Sequence, residues 1–198
     1  VFEWLVYGRA VSAAKINPRP VFILGHPRTG TTHIHNLLSR DDTQFGFAST
    51  FMCGFPSSFL LVEPIKSMLS GILDETRPMD NMKLTFDLPQ EDELATNVLS
   101  GGTSYYQPIT FMRQEKEYRD FVSFAGATKG QLERWTGSFK YFLRKLTVRH
   151  GGDKRLLLKS PVHTGRVKLL LQLFPEAQFI YIHRNPFEVF QSAVNMAD

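Results

Sequence analysis

Two stretches of this chain carry the residue types that bind anions. Gly25-His26-Pro27-Arg28-Thr29-Gly30-Thr31-Thr32 directly follows the apolar run Val21-Phe22-Ile23-Leu24. About 150 residues later, Arg184 follows the apolar run Phe179-Ile180-Tyr181-Ile182, and Ser192 lies eight residues beyond it. Each stretch reads as a buried strand running into a turn and then a helix, which offers backbone N–H groups to a phosphate. One such loop implies a nucleotide. Two, at the ends of parallel strands, imply a nucleotide with phosphate groups at both ends.

The first loop has the Gly-x-x-x-x-Gly skeleton of a Walker A motif, with Thr31 standing where the lysine belongs. ATP hydrolysis and phosphoryl transfer use that lysine on the β- and γ-phosphates and a Ser/Thr on magnesium. Here the cation comes earlier, from Arg28 inside the loop, so the anion cradle is kept without the usual hydrolytic equipment. Arg184 offers a planar fork to a phosphate, and a Ser192 hydroxyl can donate to the same group only if the helix turns back over the site.

The elements that must position these residues follow from patterning. Residues 2–14 have helical spacing, and Asn17-Pro18-Arg19-Pro20 delivers the chain extended into the first strand. Thr31 or Thr32 opens a helix through Leu37-Leu38. Residues 43–88 mix Phe, Pro, Ser and Gly without a sustained period, apart from a short helical pattern near 62–73. Pro89 is expected at the first position of a helix running to about Leu99. Tyr118, Phe121, Val122 and Ala125 mark one amphipathic helix. Leu132, Trp135, Phe139, Phe142 and Leu146 mark a stronger one, which stops at Gly151-Gly152. Arg155 to Leu158 is a strand ending at Lys159, a helix follows to Phe174, and Phe179–Ile182 is the next strand. Asn185-Pro186 then caps a helix reaching Met196. Wholly apolar strands alternating with helices predict an α/β fold: a P-loop-like three-layer sandwich with a central parallel sheet and helices on both faces. Ligands of such sheets bind outside the carboxyl ends of the strands, where Gly25–Thr32, Lys159 and Arg184 all fall.

Bulk properties agree. A chain of 198 residues fits a single domain with a sizeable core. A net charge of +4, with no block of like charges, suits an anionic small molecule and gives no argument for nucleic acid. The lone Cys53 excludes a disulfide framework and a thiolate metal site. No apolar stretch approaches the roughly 18 residues of a membrane span, and no signal peptide is visible, so the cytoplasm is the expected compartment. The chain lacks an initiator Met and stops inside a predicted helix, so it is expected to be part of a longer protein, truncated at its C-terminal side.

These residues resemble the sulfotransferases that use 3′-phosphoadenosine 5′-phosphosulfate (PAPS). Pro27-Arg28-Thr29-Gly30-Thr31-Thr32 is similar to their 5′-phosphosulfate loop, and Tyr181-Ile182-His183-Arg184-Asn185-Pro186 with Ser192 is similar to their 3′-phosphate site. Between them, Leu158-Lys159-Ser160-Pro161-Val162-His163 and Leu173-Phe174-Pro175-Glu176-Ala177 resemble the segment leading into that site. The similarity is to the bacterial-type and tyrosylprotein-like branch. It implies in-line transfer of a sulfuryl group from PAPS to a hydroxyl acceptor, without a metal. Arg28, Thr29, Gly30, Thr31, Thr32, Arg184 and Ser192 would hold the donor, and Lys159 would stabilise the bridging oxygen. Such a transfer spreads charge over oxygens, so positioning and charge stabilisation carry most of the catalysis.

The proton acceptor departs from the family pattern. Tyrosylprotein-like enzymes place a glutamate about twenty residues past the loop arginine, where this chain reads Phe47-Ala48-Ser49-Thr50. His33 stands where cytosolic members carry an adenine-stacking tryptophan. The best substitute is Glu91 in Pro89-Gln90-Glu91-Asp92-Glu93-Leu94-Ala95, because it shares a helical stripe with Leu94, Ala95 and Val98 and should point inward. Three adjacent acids on a helix point about 100° apart, so at most one or two can face a pocket. Acids at a helix start also simply favour the dipole, and that reading stays open. Glu75 and Asp80 are reserve candidates, and His26, His33, His35 and His163 lie near the loops without forming a metal-ligand set. The helices of 89–149 would wall the acceptor pocket, and their aromatic content suits an acceptor with an apolar portion. Two alternatives remain at this point: a small-molecule or nucleotide kinase on the same fold, and a nucleotide-binding module that has lost its base.

Overall fold

A computed structural model describes residues 2–72, 85–107 and 112–197. Glu75 and Asp80 fall outside them. The elements in chain order are α1 (Phe2–Ala13), β1 (Val21–Leu24), α2 (Thr31–Leu38), β2 (Phe45–Phe47), α3 (Thr50–Gly54), α4 (Phe59–Val62), α5 (Asp92–Leu99), α6 (Glu115–Tyr118), α7 (Lys129–His150), β3 (Arg155–Lys159), α8 (Val167–Leu173), β4 (Gln178–Tyr181) and α9 (Pro186–Ala197). The strands form a parallel sheet in the order β2-β3-β1-β4.

Alternation along the central strands builds two cores. Phe22 and Leu24 of β1, with Leu156 and Leu158 of β3, face Trp135, Phe139, Phe142 and Leu146 of α7. Val21, Ile23 and Leu157 face the other way, toward Ile34 and Leu38 of α2. With a period of two, helices must therefore cover both faces, as the apolar strands predict. Trp135, Phe139 and Phe142 are fully buried, and burial of each is worth about 1.5–3 kcal/mol. Helix α7 starts at a reciprocal capping box between Thr128 and Gln131 and ends at Gly151, whose φ of 96° suits a residue without a Cβ.

Three expectations are corrected. Strand β2 lies inside the stretch that lacks a period. Its three residues are too few to show alternation, and Gly46 is required because a Cβ there would lie 2.8 Å from the His150 side chain. Pro89 does not open α5. It forms an isolated antiparallel bridge with Ser49, and α5 begins at Asp92 with Glu91 as its N-cap. The single helix expected over 118–125 is instead α6 followed by a 3-10 turn at Arg119–Val122, since two buried carbonyls of that turn are committed to Arg166.

Parallel strands put all their carboxyl ends on one edge of the sheet. The loop after β1, Lys159 at the end of β3 and the turn after β4 therefore emerge together. The Ser49–Pro89 bridge adds a fourth contributor: the Gln90 N–H donates to the Ala48 carbonyl at 2.8 Å, and the Thr50 N–H donates to the Leu88 carbonyl at 2.9 Å.

Candidate active site

The loop after β1 is shaped by its backbone. Gly25 cannot carry a side chain, because a Cβ would lie 2.6 Å from the Ile182 carbonyl oxygen and 2.8 Å from Thr29 Oγ1. Arg28 has φ 71° and Gly30 φ 96°, so two residues of the loop sit in the left-handed region. Backbone of this kind can turn N–H groups toward an anion. Thr29 fixes the turn by donating through Oγ1 to the His26 carbonyl at 2.7 Å, and Thr164 Oγ1 accepts the Gly25 N–H at 3.0 Å. Gly30 caps α2 without a side-chain hydrogen bond. The first N–H groups of α2 thus keep their capacity for an incoming anion.

The loop after β1 and helix α9 meet through a pair that sequence spacing did not suggest. Arg28 Nε donates to Ser192 Oγ at 3.0 Å, so α9 does turn back, but over Arg28 rather than Arg184. Arg184 is exposed and its Nε donates to Glu188 Oε2 at 2.7 Å, one turn along α9. A cavity of about 390 Å³ opens between the first loop and this corner, lined by His26, Thr29, Ile182, Arg184, Val189 and Phe190 among others.

The three adjacent acids have three different fates. Asp92 and Glu93 are fully buried and structural. Asp92 Oδ2 lies 2.7 Å from His163 Nε2; burial pushes its carboxyl up, but the charge and hydrogen bond of His163 prevail and hold it below the usual range. Glu93 accepts from Ser104 Oγ at 2.6 Å, from Trp135 Nε1 at 3.2 Å and from Arg166 Nη1 at 2.9 Å. Glu91 is the one that reaches the edge where the loops converge. It does so as the N-cap residue, not through the stripe with Val98, which is 59% exposed. Its carboxylate makes no capping bond to α5. Instead Oε1 accepts from Lys159 Nζ at 2.6 Å, and Oε2 accepts from the Tyr106 hydroxyl. Lys159 Nζ also donates to Thr32 Oγ1 at 3.2 Å, joining the carboxylate to the first turn of α2.

Sequence reasoning brought Arg28, Thr32, Lys159, Glu91 and Ser192 onto the list, and the fold draws them into two contacting groups: Arg28 with Ser192, and Thr32 with Lys159 and Glu91. Tyr106 was missed. Its signal lies in tertiary return: Gly101 and Gly102, with φ of 63° and 88°, reverse the chain after α5 so that residues 103–107 fold back over its start. Of the histidines, His163 is absorbed by Asp92, and His26 Nδ1 lies 2.8 Å from the Pro27 carbonyl. No group of three or more His, Cys, Asp or Glu among the described residues could hold a metal ion. Cys53 is a buried free thiol, pushed well up by burial and by the Asp92 charge.

His35 sits behind this cluster on α2, 1% exposed, and neither ring nitrogen has a well-formed hydrogen bond. Burial, then the charge of Lys159, push its pKa down to about 3 from 6.5. The unfolded chain therefore takes up this proton first, and stability is lost as pH falls from 6.5 toward 3. Between pH 6.5 and 4 this one group should cost about 3 kcal/mol. Urea unfolding at both pH values should show His35→Leu removing that share of the acid loss. An identical acid loss in the variant would show that His35 is not its source.

A parallel sheet covered on both faces, with an arginine-bearing loop after its first strand and no P-loop lysine, defines an α/β fold of the phosphate-loop type. The chain belongs to the sulfotransferase family, whose model matches residues 20–198. It is 35% identical over 196 residues to the omega-hydroxy-beta-dihydromenaquinone-9 sulfotransferases Stf3 of Mycobacterium bovis and Mycobacterium tuberculosis, covering 99% of this chain and 50% of each relative. The chain thus spans about half the length of the curated relatives it matches. Among solved structures it is similar to sulfotransferase STF9 from Mycobacterium avium, with a TM-score of 0.62, 22% identity and coverage of 98% of this chain and 50% of that one. It is also similar to sulfotransferase STF1 from M. tuberculosis, with a TM-score of 0.58, 17% identity and coverage of 92% and 49%. These two likenesses support the α/β sulfotransferase fold. No helix among the described residues is long and apolar enough to cross a membrane.

Proposed function

We propose that residues 1–198 form one sulfotransferase domain that transfers a sulfuryl group from PAPS to a hydroxyl acceptor. The observation that carries this reading is the Thr32–Lys159–Glu91 cluster beside the arginine-bearing loop: an anion cradle, a cation and a carboxylate within hydrogen-bonding reach of one another. The residues fit the donor. Two left-handed loop positions and an uncapped helix start suit a phosphosulfate, and Arg28 with Ser192 offers a second set of donors. In this reading Arg28, Thr29, Gly30, Thr31 and Thr32 hold the 5′ end of the donor, while Ser192 and Arg184 hold its 3′-phosphate. Arg184 exchanges its Glu188 partner for that phosphate, and the neighbouring cavity receives the nucleoside.

The donor supplies the sulfuryl group: an acceptor O–S bond forms, the phosphosulfate S–O bond breaks, and adenosine 3′,5′-bisphosphate leaves. Lys159 places its ammonium toward the departing oxygen, where developing charge is stabilised at no reorganisation cost. Glu91 is 22% exposed, and its carboxylate takes the acceptor's proton. The acceptor we favour has a hydroxyl on an apolar body, the chemistry named for the Stf3 relatives, walled by the helices of 89–149. A cytoplasmic setting fits the buried free Cys53.

Glu91→Gln keeps size and hydrogen bonding but loses the base. Turnover should fall about 10²–10⁴-fold, with affinity for the bisphosphate within a factor of about two of wild type by calorimetry. Unchanged turnover would remove Glu91 from the role of base.

A further inference from the structure

Among the described residues, Tyr106 is the side chain bonded to the Glu91 carboxylate that the proposed chemistry does not use. It is 8% exposed, and its hydroxyl donates to Glu91 Oε2 while Lys159 holds Oε1. We infer that Tyr106 is a positioning residue for sulfuryl transfer, orienting the Glu91 carboxylate against Lys159 so that its remaining lone pairs face the acceptor. This inference rests on the reading of Glu91 as base.

Three observations support it. The first is that, among the described residues, only Lys159 and Tyr106 hydrogen-bond the Glu91 carboxylate: it lies on the N-cap, makes no capping bond and is partly exposed. A carboxylate held at one oxygen by one lysine can still rotate. A donor on the second oxygen stops the rotation.

The second is that the Tyr106 backbone is anchored from behind. Ser104 Oγ donates to Glu93 Oε1 at 2.6 Å, and the Tyr106 N–H donates back to Ser104 Oγ at 3.1 Å. Glu93 is in turn locked by Trp135 and by the fully buried Arg166. Hydrogen bonds therefore run from Arg166 through Glu93 and Ser104 to the Tyr106 backbone, and from the Tyr106 hydroxyl through Glu91 to Lys159 and Thr32. They tie the first turn of α5 to the phosphate loop.

The third is protonation. Burial first, then the negative charge of Glu91, push the Tyr106 hydroxyl well above its ordinary range. Tyr106 therefore remains a donor and does not compete with Glu91 for the acceptor's proton.

The test is a double-mutant cycle in turnover, joined to a readout that needs no donor. Tyr106→Phe should lower kcat about tenfold, the size of one hydrogen bond to a charged group, and leave KM for the donor within about a factor of two. In a Glu91→Gln background the same change should cost almost nothing, because the group it orients is gone. Independently, the Lys159 ammonium should give a slowly exchanging NMR signal in wild type. That signal should broaden in Tyr106→Phe and be lost in Glu91→Gln. Equal cost of Tyr106→Phe in both backgrounds, or a Lys159 signal unchanged by it, overturns the inference while leaving Glu91 as base. Full turnover in Glu91→Gln overturns both.

Discussion

Replacing Arg28 by alanine should abolish measurable sulfuryl transfer and weaken adenosine 3′,5′-bisphosphate binding at least 30-fold. Two losses combine. The guanidinium is the cation within the loop itself, and its Nε bond to Ser192 at 3.0 Å connects the loop to α9. Each hydrogen bond to a charged group is worth about 1.5–3 kcal/mol, so two lost contacts to the donor amount to roughly 10²–10⁴ in transition-state stabilisation. Arg28→Lys should rescue only part of this, because an ammonium does not reproduce the planar fork. The backbone gives a further control. Position 28 has φ 71°, so Arg28→Gly relieves strain while removing the charge. If the side chain matters for charge and reach, Arg28→Gly should be as inactive as Arg28→Ala while melting no lower than wild type. Rate assays with calorimetry and thermal melts decide this, and near-wild-type bisphosphate affinity in Arg28→Ala would contradict the assignment.

Arg166→Met should cost about 3–5 kcal/mol of stability, the penalty for leaving a buried charge without its partner. At this chain length that is a drop in Tm of about 10 °C or more. Arg166 is 1% exposed, pairs with Glu93 at 2.9 Å and donates to the carbonyls of Phe121 and Val122 at 2.7 Å and 3.1 Å. Its guanidinium also lies 4.7 Å from the Trp135 ring centre and 5.2 Å from that of Phe124. Methionine keeps the apolar stem but supplies none of the donors. Changing Glu93→Leu in the same chain should recover part of the loss, because the orphaned carboxylate disappears with its partner. A loss below about 1 kcal/mol in denaturant titration would show that solvent reaches this cluster.

These cases show why some of the molecule was readable from its residues and some was not. Strands β1 and β3 announce themselves because strands buried on both faces are continuous apolar runs, and the loop after β1 because tight turns restrict which residues can stand there. Helix α7 is legible in its 3-4-3-4 spacing. Each of these signals is local. Strand β2 is a strand only because β3 lies beside it and Gly46 admits His150. The separate fates of Glu91, Asp92 and Glu93 are set by Lys159, His163 and Arg166, each about 70 residues away. Spacing along one helix cannot report partners from another segment. The Phe47–Thr50 stretch makes the same point: it carries no acid, but the Ser49–Pro89 bridge brings Glu91 to the end of β2 from a distant part of the chain. The Arg28–Ser192 contact likewise depends on where α9 packs, not on the eight-residue step from Arg184 to Ser192.

The most direct test is calorimetric titration of this chain with adenosine 3′,5′-bisphosphate and, in parallel, with ATP plus magnesium. The account predicts that the bisphosphate binds more tightly than magnesium-ATP without any added metal, and that Arg28→Ala removes the difference. Tighter binding of magnesium-ATP, unaffected by Arg28→Ala, would contradict it and return the site to the kinases.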